Sequence, residues 1–152
     1  MTNATMNNEV LATDVMVMDG ADNFIVELTE EKQTMFCSMK ATSQEERAIL
    51  FKAMNNPEHR ISDCINMVIE VKDVYCEVVT CTNGVTGEQT KCPRIVLIDK
   101  DGKGYQAVSL GIFSALKKVM AVFGQPSWET PIPLKIVQIK KGTKSLLTFD
   151  VV

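Results

Sequence analysis

Between residues 43 and 152 the spacing of apolar and polar positions changes repeatedly, and those changes mark out the elements. Ser43-Gln44-Glu45-Glu46 has the form of a capping box, in which the serine hydroxyl accepts from the third helical amide and Glu46 reaches back. Ala48, Ile49, Leu50, Ala53 and Met54 follow at helical spacing. Asn55-Asn56-Pro57 ends that helix, because a proline disfavours a helical residue before it. Pro57–Ile61 reads as a turn or a short helical piece. From Met67 to Thr82 the chain is dense in Val, Ile, Thr and Tyr and alternates, which predicts a long strand. The alternation slips by one at Lys72-Asp73, where a bulge is expected. Asn83–Glu88 is a loop, Arg94–Asp99 a second strand, and the Asp101-Gly102 turn makes a hairpin to a third, Tyr105–Val108. Ser109 then caps a helix with Ile112, Phe113, Leu116, Val119, Met120 and Phe123 on one face. Gly124 ends it ahead of Pro126. Leu134–Lys140 and Ser145–Val152 form a last strand pair around Lys141-Gly142-Thr143-Lys144.

The N-terminal pattern is weaker. Val15–Met18, Asn23–Leu28 and Met35–Lys40 are candidate short strands, and residues 1–22 are polar enough for a flexible arm. From residue 67 the order is strand, strand, strand, helix, strand, strand. That is the order of the OB-fold, a small Greek-key barrel. The expected class is therefore mainly β, a β-barrel with helices, although other small α+β sheets share the order. Residues 67–152 are expected to form the barrel. Residues 1–66 are expected to pack on it as an N-terminal extension carrying one helix.

Composition narrows the function classes. The 152 residues carry a net charge of −3, which argues against a simple polybasic binder. The charge is uneven, however. Residues 1–60 hold 5 basic and 10 acidic side chains, whereas from Lys103 onward there are 7 basic and 2 acidic. A basic face on a weakly acidic protein is thus available. The five cysteines have no regular spacing, and their C-x4-C-x10-C run lacks the pairing of structural zinc sites. No Gly-rich phosphate loop or nucleophile–base motif stands out, and His59 is the one histidine. Neither an enzyme nor a cofactor is expected. No apolar run approaches the roughly 20 residues of a bilayer span, and the start lacks signal-peptide features, so a cytoplasmic protein without a membrane partner is expected.

Five segments then carry a resemblance: NNPEHRISDCIN, EVKDVYCEVV, PRIVLIDKDGKGYQAVSLGIFSALKKV, FGQPSWETP and SLLTFDVV. From about Ala48 to Val152 the chain resembles a family of single-stranded DNA-binding proteins encoded by phages of Gram-positive bacteria. The resemblance implies an OB-type fold, sequence-tolerant binding of single strands, a role in phage DNA replication or recombination inside the bacterial host, and no cofactor.

Physics supplies the candidate contacts. Single-strand binding needs a cationic groove for phosphates and aromatic faces for bases, each stacked base contributing roughly 1–3 kcal/mol. The barrel offers its middle strands and the loops joining strands one–two and four–five. Tyr75, Tyr105 and Trp128 are the aromatic candidates; each is weighed against the commoner role of packing in the core, Trp128 against the barrel end. Arg94 leads the cations, since a guanidinium both pairs with phosphate and stacks on bases. Lys103 flanks strands two and three, Lys91 closes the first loop, and Lys140, Lys141 and Lys144 cluster around the loop between strands four and five. Phe113 and Phe123 are assigned to the core. The acidic first sixty residues support a second reading, a protein-interaction module whose partners are replication or host proteins or a second copy of the chain.

Overall fold

The computed structural model describes residues 35–152. The strands expected at Val15–Met18 and Asn23–Leu28 and the flexible arm lie outside the described residues. The elements are β1 (Met35–Cys37), α1 (Gln44–Asn55), β2 (His59–Arg60), a 3₁₀ turn (Ile61–Asp63), β3 (Val68–Thr82), β4 (Gln89–Asp99), β5 (Gly104–Val108), α2 (Leu110–Phe123), β6 (Ile132–Lys141) and β7 (Lys144–Val151). The predicted order after residue 67 is therefore the observed one.

One seven-stranded sheet runs β2-β5-β4-β3-β6-β7, with β1 also on β3. The long β3 makes this possible. It pairs with β4 from Val71 to Thr82 along one edge. Along the other edge it pairs with β6 at Val68–Val71 and with β1 at Tyr75–Glu77. The register shifts between Val71 and Asp73, at the predicted bulge. A bulge adds bend and twist to a strand, so the sheet turns where its partner changes. The result is a curled half-barrel. Its two end strands, β2 and β7, are not neighbours in the sheet, and a seam stays open between them.

Both faces of the central strands are buried. Ile69, Val71, Val74, Cys76, Ile95 and Leu97 line the interior, which α2 fills with Ile112, Leu116 and Met120. Tyr75, Val96 and Ile98 face the other way, against Cys37 and Ala53, with Leu50 and Met54 beside them. Ile95–Ile98 therefore read as an unbroken apolar run, as a strand buried on both faces must. β1, α1 and the link between them thus supply cover on the outer face. Glycine is required at position 104, because a Cβ there would stand 2.9 Å from Pro57 Cβ and 3.2 Å from a Val96 methyl.

The helix ends follow the sequence. Ser43 Oγ accepts from Glu46 N (3.1 Å), and Glu46 Oε1 accepts from Ser43 N (3.1 Å). Ser109 Oγ accepts from Ile112 N (3.1 Å), and Gly124, at φ 85°, donates to Met120 O. Phe123 departs from expectation and is 47% exposed. Ala121 to Gly124 are all exposed, so the apolar stripe of α2 is not covered as far as its last turn.

Two further readings are corrected. The turn or helical piece expected over Pro57–Ile61 contains β2, parallel to β5 with His59 opposite Tyr105 and Arg60 opposite Gln106. The free edge of β5 supplies the backbone partners that the local sequence does not advertise. β4 begins at Gln89, not Arg94, because the β3–β4 hairpin extends as an arm in which Thr80 pairs with Lys91 and Thr82 with Gln89. That arm has little core to face, so it lacks the apolar alternation that marks a strand. No helix among the described residues is long and apolar enough to cross a membrane.

Candidate nucleic-acid interface

The candidates fall into two groups, one locked into the fold and one that keeps exposed surface. Tyr75 and Trp128 belong to the first. Tyr75 is 2% exposed, and its O–H donates to Glu77 Oε1 at 2.9 Å. Burial, and then that hydrogen bond, push its phenol far above the usual tyrosine range. Trp128 is 6% exposed within the main core. Its Nε1 donates to Gly124 O (3.1 Å) and its backbone N to Lys72 O (2.9 Å). Neither ring has an open face for a base, because each is spent sealing one side of the sheet.

Arg94 is held as well. Its NH1 donates to Glu77 Oε2 at 3.0 Å, while Nε and NH2 both donate to Gln106 Oε1 at 3.2 and 3.1 Å. Its side chain is 13% exposed and that of Glu77 29%. Tyr75, Glu77, Arg94 and Gln106 therefore form a polar ladder across β3, β4 and β5 on the outer face. The register requires it, since Glu77 sits opposite Arg94 and Gln106 pairs beside it. The leading cation of the sequence is thus neutralised by a carboxylate that lies 17 residues away along the chain.

Tyr105 is half-buried and occupies the end of β5 nearest the Asp99–Lys103 turn. Its O–H donates to Asp99 Oδ2 (3.0 Å). Burial first, and then the carboxylate, push its phenol up to about 12. On one side it stacks on His59, with ring centroids 4.8 Å apart and planes 23° from parallel. His59 is itself exposed, so it forms the outer ring of a two-ring step. Lys103, two residues before Tyr105, is exposed in the turn, whose amide donates to Asp99 Oδ1.

Lys140, Lys141 and Lys144 cluster at the tip of the β6–β7 hairpin, where Lys141 pairs with Lys144 and Lys140 with Ser145. All three are exposed, and none joins an ion pair among the described residues. Lys91 is exposed on the β3–β4 arm, away from that tip along the chain. His59 beside Arg60, which the sequence reads as a helix-end or surface residue, is not among the predicted contacts. The available signal was an aromatic ring beside a guanidinium in one dipeptide, and only the pairing of β2 with β5 turns them to the same edge.

A family model described as phage single-stranded DNA-binding protein matches residues 29–151. No curated protein and no solved structure matches.

Proposed function

Since the chain belongs to the phage single-stranded DNA-binding protein family, we propose that the strand it binds in phage DNA replication runs along the β2–β5 edge and across the seam to the β6–β7 hairpin. The path begins at Lys103, passes the His59–Tyr105 step and Arg60, and ends at Lys140, Lys141 and Lys144. Leu147 lines the seam, and Lys144 lies three residues from it, roughly 10 Å at the rise of a strand. Phosphates meet cations along this line, and bases meet the exposed ring of His59. Both contacts are indifferent to sequence, because every base has a flat face and every nucleotide a phosphate. Lys91 extends the cationic surface along the arm. Arg94, Tyr75 and Trp128 hold the sheet in shape in this reading. Residues 67–152 form the binding barrel and the residues before them an extension that lends it β2. No catalytic step and no cofactor enters.

The observation that carries this reading is the set of exposed lysines on the β6–β7 tip, which join no ion pair among the described residues. The experiment is a salt titration. Each phosphate contact on a single strand contributes about 0.7 to the slope of log K against log salt. Replacing Lys140, Lys141 and Lys144 with alanine is expected to lower that slope by about 2, measured by anisotropy of a labelled oligo-dT. An unchanged slope removes the hairpin from the path. Failure of the unaltered protein to bind at low salt removes the reading altogether.

A further inference from the structure

The seam itself holds a cavity of about 340 Å³ between β5 and β7. Its polar lining is Arg60, Ser62, Gln106 and Ser109, and Ala107, Val108 and Leu147 give it an apolar floor. What matters is which polar functions the fold has already used. The Gln106 carbonyl oxygen accepts two bonds from Arg94, which leaves the amide NH2 to donate. The Ser109 oxygen accepts from Ile112 N, which leaves its O–H to donate. Arg60 has only donors, it is exposed, and no ion pair among the described residues engages it. Donors above an apolar floor suit a ligand with acceptors at its edges and a flat apolar face. An unpaired nucleotide has that chemistry, with phosphate oxygens and base-edge acceptors around a stacking surface.

We propose that this cavity takes one nucleotide of the bound strand, with Arg60 on its phosphate, Gln106 and Ser109 donating to the base edge, and the base lying over Val108 and Leu147. The proposal rests on the reading of the protein as a single-strand binder and adds to it a position where a base is received individually. A donor lining favours bases rich in carbonyl acceptors. Thymine, with O2 and O4, fits this lining better than adenine, whose exocyclic N6 is itself a donor.

The test compares Arg60→Ala and Val108→Trp with the unaltered protein on labelled oligo-dT across a salt series. Both positions are exposed, and the melting temperature of each variant checks that it folds. Arg60→Ala is expected to weaken binding and to lower the salt slope by about 0.7, one phosphate's share. Val108→Trp fills the cavity without removing a charge. It is expected to weaken binding about fivefold or more, the lower end of one stacked base, with the slope unchanged. Photo-crosslinking with 4-thiothymidine oligonucleotide is expected to label the tryptic peptide Gly104–Lys117. If both variants bind like the unaltered protein, the strand does not enter the cavity, and the proposal falls while the single-strand reading stands. If only Arg60→Ala weakens binding, the contact is with phosphate at the rim and the base site is refuted. If the unaltered protein does not bind, both fall together.

Discussion

Replacing Arg94 with alanine separates a strut from a DNA contact. The guanidinium makes three hydrogen bonds, one to the Glu77 carboxylate and two to the Gln106 amide oxygen, all between 3.0 and 3.2 Å. Exposed ion pairs contribute about 0–1 kcal/mol, whereas breaking a buried one costs about 3–5 kcal/mol. Arg94 and Glu77, at 13% and 29% exposure, lie between these limits. Removing the arginine leaves a partly desolvated carboxylate that still accepts from Tyr75 but has lost its cation. A loss of about 1–2 kcal/mol follows from that intermediate position. At about 2–4 °C per kcal/mol for a chain of this size, the melting temperature is expected to fall by about 2–8 °C. Thermal unfolding followed by circular dichroism reads this directly. Glu77→Ala and the double variant complete a cycle, and a coupling energy of about 1 kcal/mol is expected for side chains in contact. The salt slope of oligo-dT binding is expected to stay unchanged, because the charge is already spent inside the protein. A melting temperature within about 1 °C of the unaltered protein, together with a slope lower by about 0.7, would refute the argument. Arg94 would then be facing phosphate and the ladder would be incidental.

Two other outcomes follow from the same packing. Both tyrosines resist ionisation, so absorbance at 295 nm is expected to show no phenolate step near the usual value, with Tyr105 ionising at about 12. The sign is fixed: phenols whose folded pKa is raised stabilise the fold fully below the unfolded value near 10, and that stability is lost as pH climbs from there toward 12. Among the thiols, Cys37, Cys64 and Cys76 are buried, while Cys81 and Cys92 are half-exposed on the β3–β4 arm. Ellman's reagent is expected to count two thiols per native chain and five after denaturation; a third fast-reacting thiol would show that the core opens more readily than its packing implies.

The local elements were legible because short-range physics dictates them. The Ser43 and Ser109 caps, the Gly124 stop, the bulge beside Lys72 and the order of strands after residue 67 all rest on contacts within a few residues. So does the charge of the β6–β7 tip, since lysines at a hairpin turn have little but solvent around them. Side-chain fate at the site was not legible, because it depends on what the fold brings from elsewhere. Arg94 looks like an open cation until Glu77 and Gln106 arrive from two other strands. Tyr75 looks like a strand aromatic with a free face until α1 and β1 cover it. His59 and Arg60 look like the end of a turn until β2 finds the free edge of β5. Sequence alone therefore determined which elements form, in what order, and where positive charge collects. Tertiary structure decided which cations and rings remain free to meet DNA, because hydrogen bonding and burial between distant segments use some of them and leave the rest.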